Sequence, residues 1–421
     1  MNLTAENIVL VAKQHQIEEL KRLASTAHFV EVICNLIHSL QAERGASSLY
    51  LASSGIRCKE IRQNIIKESR LLETRLRVLF TVQVDQATYA NAKTLSFMAW
   101  VLLGLDDLGT LRQEVENFNL SATESITAYS RLIAGLISLI IDVADTAIDP
   151  RISKQLVALF NFVQGKELAG QERALGAYAF GSGVIDANHQ QRILHLIDIQ
   201  ERHFEVFCEF TDKIFVAKWR ELQLSPSCSK IKQLRRVVCQ TKSKQLLDSN
   251  QSERWFESCS TRLTDMWVLQ CALIQHINDY TSRLINEAEL DLHDAKGLVR
   301  HIRDNPPPRA DLCDRFFNPN IPLEQALEFM PPASIDSTQC KSIIDMLQLQ
   351  SKKLADMETE LSIVRKALAE RKTIERAKGL LMARLNLSEE VAYKKLRSAA
   401  MEQNRRLADV AETILTLVNI E

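Results

Sequence analysis

The 421-residue chain is poor in glycine (12), proline (9) and aromatic residues (6%). Such a composition disfavours a fold of many short strands and tight turns, and favours long helices. Its nine cysteines, at positions 34, 58, 208, 228, 239, 259, 271, 313 and 340, include no C-x-x-C, and no histidine pair completes a metal-ligand spacing. No metal site is therefore expected, and scattered cysteines of odd number fit a reducing compartment. The opening "MNLTAENIVLVAKQHQ" lacks the basic flank and apolar core of a signal peptide. The strongest apolar runs, "LSFMAWVLLGL" and "LIAGLISLII", are too short to span a bilayer and read as buried helix segments. A soluble, cytoplasmic protein with no membrane partner is the expectation. Also missing are a Gly-rich phosphate loop, paired acids at a catalytic spacing and a histidine beside a nucleophile. An enzyme is thus disfavoured, no catalytic residue or cofactor is assigned, and His38 reads as structural.

What is present is helical periodicity. Val30, Ile33, Leu36, Ile37 and Leu40 recur mostly at three- and four-residue steps, the mark of one buried helical face. Similar stripes run through 61–79, 92–103, 126–143, 152–163, 193–210 and 255–284. Long helices with short connections predict up-and-down bundles. Two segments echo each other: "ERGASSLYLASSG" from Glu43 and "ERALGAYAFGSG" from Glu172, which is 129 residues later. The echo suggests two bundles of related design, at roughly 29–145 and 150–290.

Composition then shifts. Seven of the nine prolines fall between Pro306 and Pro332, which predicts a linker or an irregular docking segment at 301–335. Beyond it, Leu347, Leu354, Leu361 and Leu368 are seven residues apart, with Ile343, Gln350, Met357 and Val364 at the intervening positions. This is a coiled-coil seam, centred on 336–364. Lys353 would face Glu358 of a partner and Glu360 would face Arg365, which favours a parallel homodimer over a lone amphipathic helix.

Residues 365–421 predict three short helices. One carries Ile374, Ala377, Leu381 and Leu385 on a single face; the next starts at Ser388 and packs through Val391, Ala392, Leu396 and Ala399; the last uses Leu407, Val410, Ala411, Ile414 and Val418. This module holds 12 basic and 8 acidic residues, a balance of +4 that leaves −5 for the rest of the chain. A basic excess is a weak pointer to nucleic acid, and a solvated surface explains it equally well.

The ordered set Ala377, Lys378, Gly379, Leu381, Met382, Ser388, Glu390, Ala392, Leu396, Arg397, Met401 and Ala411 resembles the ANTAR domain, a three-helix RNA-binding module of antitermination proteins. The resemblance implies recognition of paired hairpins in a nascent leader mRNA, with the transcription complex affected indirectly. Residues that would contact RNA are Arg371, Lys378, Arg384, Arg397, Arg405 and Arg406, with Tyr393 the one aromatic platform. A protein-interaction adaptor, whose ANTAR-like module only dimerises, is the competing reading.

Arg44 falls in line with Ile33, Ile37 and Leu40, so its guanidinium points into the bundle, where an unpaired charge is costly. It needs an internal acid, such as Glu43 or Glu172, or a bound anion. Arg173 lies at the edge of its stripe. The small residues Gly45, Ala46 and Ser47, and Ala174 and Gly176, would admit a neighbouring helix or leave room for a small ligand. The segment "QAERGASSLYL" opening a long helical region resembles the NIT domain, a nitrate- and nitrite-sensing domain. NIT followed by ANTAR is the layout of nitrate-responsive antiterminators. The resemblance implies an all-α sensor over 1–300, a coiled-coil helix, and a three-helix ANTAR bundle at 365–421, with nitrate or nitrite as effector. Its anion ligands would be Arg44 first, Arg173 second, and Arg236 third, although Arg235 competes with Arg236 for the inward position. Ala174 stands where the first segment has Gly45, so whether both copies take ligand stays open.

Overall fold

The computed structural model describes residues 5–304, apart from 57, 86–91, 145–148, 184, 186, 241–246 and 249, and most of 361–418. The chain is all-α: every regular element among the described residues is helical. The elements are α1 (Ala5–Ala52), α2 (Lys59–Asp85), α3 (Ala92–Glu116), α4 (Ala122–Ala144), α5 (Pro150–Ser182), α6 (Ala187–Phe210), α7 (Lys213–Gln223), α8 (Pro226–Gln240) and α9 (Gln251–Asp304). A helical stretch at 369–382 follows, then α10 (Glu389–Glu402) and α11 (Leu407–Val418). Residues 305–360, with the proline-rich linker and almost all of the heptad seam, lie outside the described residues.

Local chemistry explains where the helices begin and end. The two prolines outside the 306–332 cluster, Pro150 and Pro226, each stand at the first residue of a helix, where a missing N–H costs nothing. Asp149 Oδ1 accepts from the Arg151 and Ile152 amides ahead of α5. Ser121 and Glu124 exchange hydrogen bonds of 3.2 and 2.8 Å, a capping box that opens α4. The Ser-Gly that closes both echo segments has a shared cause. Gly55 (φ 85°) and Gly183 (φ 68°) adopt the left-handed conformation that stops α1 and α5.

The chain forms two compact units. One comprises Met1–Thr26, Ala147–Ile152 and Ile277–Val364. In it Ile17 and Leu23 are buried, as are Leu292 and Ala295, and Lys13 and Lys21 pair with Asp291 (2.5 Å) and Glu289 (2.8 Å). The other comprises Ala27–Thr146, Ser153–His276 and Arg365–Glu421. Its aliphatic core includes Ile33, Leu36, Ile37 and Leu40 of α1, as their spacing predicts. An aromatic cluster of Phe162, Phe204, Phe207 and Trp219 fills the space between α5, α6 and α7. The three-helix module is centred on Ala377, Leu396 and Ala411, all fully buried, with Ile374, Leu381, Leu407 and Ile414 around them. Leu385 and Val391 are exposed instead of joining this core; they flank the turn between helices, outside the packed stripe.

Three helices, over Leu10–Ala52, Thr94–Glu116 and Ala122–Asp142, are long and apolar enough to cross a membrane by length and composition. This corrects the expectation drawn from the apolar runs, which are only parts of these longer helices. Charged residues within those spans, Glu43, Arg112 and Asp142, are buried against polar partners from other helices.

Candidate anion site and RNA module

The two Glu-Arg segments face each other across α1 and α5. A methyl group at Gly170 would stand 2.9 Å from Arg44 Nη2, and one at Gly45 would stand 3.0 Å from Arg173 Nη2. Each guanidinium therefore lies against the other helix's backbone, at a glycine that leaves room for it. Gly45 was a candidate for this role and Gly170 was not. Gly176 serves a different purpose: the Trp255 indole occupies its Cβ position and donates to the Arg173 carbonyl at 3.0 Å. Its small size admits a helix and leaves no room for a ligand at this position.

Arg44 is buried and bound to an internal acid, Glu167 of α5. Its Nη1 donates to Oε1 in a short contact and its Nη2 to Oε2 at 3.1 Å. Nη1 also donates to Ser130 Oγ at 2.7 Å. Gln41 and Gln171 donate to the same carboxylate at 2.8 and 3.0 Å. Arg173 has no carboxylate partner among the described residues. Its Nη1 donates to Ser260 Oγ at 3.1 Å, and its guanidinium lies 5.0 Å from the Phe256 ring centre. Burial, and then repulsion from Arg44, lowers its pKa to about 10. Two cations and one carboxylate leave a single positive charge here, which one monoanion would neutralise.

The glutamates have a separate task. Glu43 is clamped by Arg112 (2.7 and 2.8 Å) and accepts from Tyr129 Oη at 2.7 Å. Glu172 is clamped by Arg235 (2.6 Å twice) and accepts from Gln200 at 2.8 Å. Burial opposes the Glu172 charge, yet Arg235 and Arg262 hold its pKa below the ordinary value. Neither acid serves Arg44. Arg236 is a correction: it faces solvent on α8, and Arg235 takes the inward position. Leu234 and Val238 set the buried stripe, and Arg235 follows Leu234 on its edge.

Glu167 was not foreseen, although a signal existed. Lys166 and Glu167 interrupt a run, from Leu156 to Ala169, that is buried on nearly every side. Charges there require partners.

The three-helix module at 365–421 packs along α5 and α6. Arg371 Nη2 lies 2.9 and 3.1 Å from the two His203 ring nitrogens, and its guanidinium sits 5.7 Å from the Phe160 ring centre. His203 also contacts Asn161 Oδ1 at 3.0 Å. Burial, then Arg371 and Lys378, push the His203 pKa well below its usual value, which keeps the ring neutral. Arg202 donates to Tyr393 Oη and lies 4.9 Å over its ring. Lys378 pairs with Glu375 at 2.5 Å, and Arg397, though exposed, reaches Asp198 at 3.9 Å. A cavity of about 340 Å³ opens beside these contacts, lined by Phe160, Asn161, His203, Arg371, Lys378 and Tyr393. The seven-residue spacing of Arg371 and Lys378 does put both on one face, but that face is turned to the sensor. Arg384, Arg405 and Arg406 are exposed. Arg405 bonds back to α11, and Arg406 pairs with Asp409 (2.9 Å) and Glu370 (3.1 Å).

Residues 35–278 match the NIT family, described as nitrate and nitrite sensing, and residues 364–415 match the ANTAR domain. The chain belongs to the NIT family and carries an ANTAR domain. A curated relative, the nitrate regulatory protein of Klebsiella oxytoca, is 30% identical over 96% of this chain and 93% of its own length. The solved structure of the NasR transcription antiterminator matches with a TM-score of 0.60 and 26% identity, over 99% of this chain and all of that one. Both matched domains are sensing and regulatory modules. Within this NIT–ANTAR layout, α5 links the two regions just described. It carries Glu167, Gly170 and Arg173 beside Arg44, and Phe160 and Asn161 beneath the ANTAR domain.

Proposed function

We propose that this NIT–ANTAR regulator is a cytoplasmic transcription antiterminator that binds paired hairpins of a nascent leader mRNA when nitrate or nitrite is bound, for genes of nitrate assimilation. The anion is received between Arg44 and Arg173. Their planar, forked guanidinium groups suit a planar monoanion, and the site's single surplus charge matches its valence. The arrangement described above is the silent state. In it α6 holds Arg371 and Tyr393 against the sensor, so the phosphate-binding face of the ANTAR domain is covered. The observation that carries this reading is that one helix, α5, touches both the anion site and the covered face. Anion binding shifts the balance toward a released ANTAR domain by its difference in affinity for the two states. The heptad seam pairs two chains, so that two ANTAR domains meet the two hairpins.

The test is to titrate nitrate into the full-length chain with a labelled two-hairpin leader RNA at fixed salt. RNA affinity should rise at least about fivefold on saturation, because a coupling of this kind spans about 5–150-fold. Unchanged affinity would defeat the gating. Replacing Lys378 and Arg397 by Ala should remove RNA binding and leave dimerisation intact; loss of dimerisation alone would favour an adaptor.

A further inference from the structure

Glu167 enters the anion reading only through its charge, and its position on Arg44 is left unused. Its carboxylate is the closest chemical likeness to nitrate that a protein can supply: planar, singly charged, and able to accept two parallel N–H bonds from one guanidinium. It stands on Arg44 in that manner, from the helix opposite, and is itself buried. Its other partners are unusual for a permanent ion pair. Two neutral amides, Gln41 and Gln171, donate to it at 2.8 and 3.0 Å. Arg44 in turn has Ser130 at 2.7 Å. If the pair separates, neither charge is left wholly without hydrogen bonds, which lowers the cost that normally locks a buried salt bridge.

We infer that Glu167 is a resident competitor: it occupies the forked face of Arg44 in the silent state, and the incoming anion binds by displacing it. This rests on the Arg44–Arg173 site being the anion site. Charge is conserved in the exchange. The site holds two cations and one carboxylate before binding, and the same groups plus a monoanion after it, with Glu167 retained by its two glutamines. Affinity for the effector is therefore reduced by the fraction of time that Glu167 holds Arg44, and the reduction sets the concentration at which the sensor responds. The displaced residue lies on α5 next to Leu168, which lines the cavity against the ANTAR domain. Loss of the Arg44–Glu167 bond is thus felt one residue away from the covered face.

Calorimetric titration of full-length wild type, Glu167→Gln, Glu167→Asp and Arg173→Ala with sodium nitrate tests this, with helical content checked by circular dichroism. Glutamine keeps the shape and removes the competing charge, so nitrate should bind about tenfold tighter or more. Aspartate keeps the charge but cannot reach as far, so about threefold tightening is expected. Half-maximal RNA binding should move to lower nitrate by the same factors. An unchanged or weaker affinity in Glu167→Gln overturns the inference, since the carboxylate would then only position Arg44. So does tightening in Glu167→Gln with aspartate equal to wild type, because net charge alone would then explain it. If Glu167→Gln fails to fold, the aspartate variant decides. Should Arg173→Ala bind nitrate like wild type, the site itself is misplaced; loss of binding there with no gain at Glu167→Gln sinks only the competitor.

Discussion

The segments beginning at Glu43 and Glu172 differ less in sequence than in what their arginines do. In both, the glutamate is buried and clamped by an arginine that arrives 63–69 residues later, Arg112 for Glu43 and Arg235 for Glu172. In both, a left-handed glycine ends the helix. The arginines diverge: Arg44 is held by a carboxylate, and Arg173 by a hydroxyl and an aromatic ring. The glutamate of the motif is thus a structural anchor in both segments. The arginine is the variable member, and in the proposed site the two arginines are unequal halves.

The anchors give the largest expected effects. Breaking a buried pair strands its cation, at a cost of about 3–5 kcal/mol. Glu172→Ala leaves both Arg235 and Arg262 without a carboxylate in ion-pair contact among the described residues. Glu43→Ala leaves Arg112 with Glu73, still 2.7 Å away. Urea denaturation should therefore place Glu172→Ala at about 5 kcal/mol and Glu43→Ala nearer 3. Equal losses would show that the two anchors are interchangeable after all.

The arginines should separate stability from response. Arg44→Ala leaves Glu167 buried with only two amide donors, and is expected to lose about 3 kcal/mol. Arg173→Ala breaks no ion pair. It forgoes one hydroxyl bond and one ring contact, about 1 kcal/mol in all, and relieves the repulsion between the guanidinium groups. Thermal melts with and without nitrate would distinguish the two roles. Arg173→Ala should melt close to wild type yet gain nothing from the anion. A full nitrate response in that variant would end the view of Arg173 as the open half of the site.

Much of this was legible from sequence, because it follows from periodicity. The inward direction of Arg44 and the shared face of Arg371 and Lys378 are consequences of 3.6 residues per turn. The partner of Arg44 was not, because Glu167 lies 123 residues away and only the packing of α5 on α1 joins them. Arg235 against Arg236 was undecidable for a related reason. Adjacent residues on one helix differ by about 100° in direction, and a stripe edge admits either. The docking of Arg371 on His203 was invisible too. It depends on how the ANTAR domain lies on α5 and α6, and no single helix records that.

About two turns toward the N-terminus, at the same 129-residue offset, buried Ile37 corresponds to buried Lys166. The Lys166 ammonium has His38 Nδ1 at 3.1 Å, Gln270 Oε1 at 3.2 Å and the Trp267 ring at 4.5 Å, and no carboxylate pairs with it among the described residues. His38 stacks on Trp267, and its own pKa is lowered to about 3 by burial and by Lys166, so the ring remains neutral. Burial lowers the lysine from 10.5 to about 7. The unfolded chain therefore binds the extra proton between about pH 7 and 10.5, and wild-type stability should rise with pH across that window. Below it the full cost of the buried charge persists. Lys166→Met should remove the slope and, at pH 6.5, stabilise the chain by about 1 kcal/mol, since replacing a buried charge by a well-packed apolar group is often favourable. Melting both proteins between pH 6.5 and 8.5 keeps the measurement below the range of the neighbouring Cys34 and Cys271 thiols, which burial pushes up. If the gap between the two proteins fails to narrow as pH rises, Lys166 is charged and satisfied in the fold, and α5 tolerates a cation where α1 has an isoleucine.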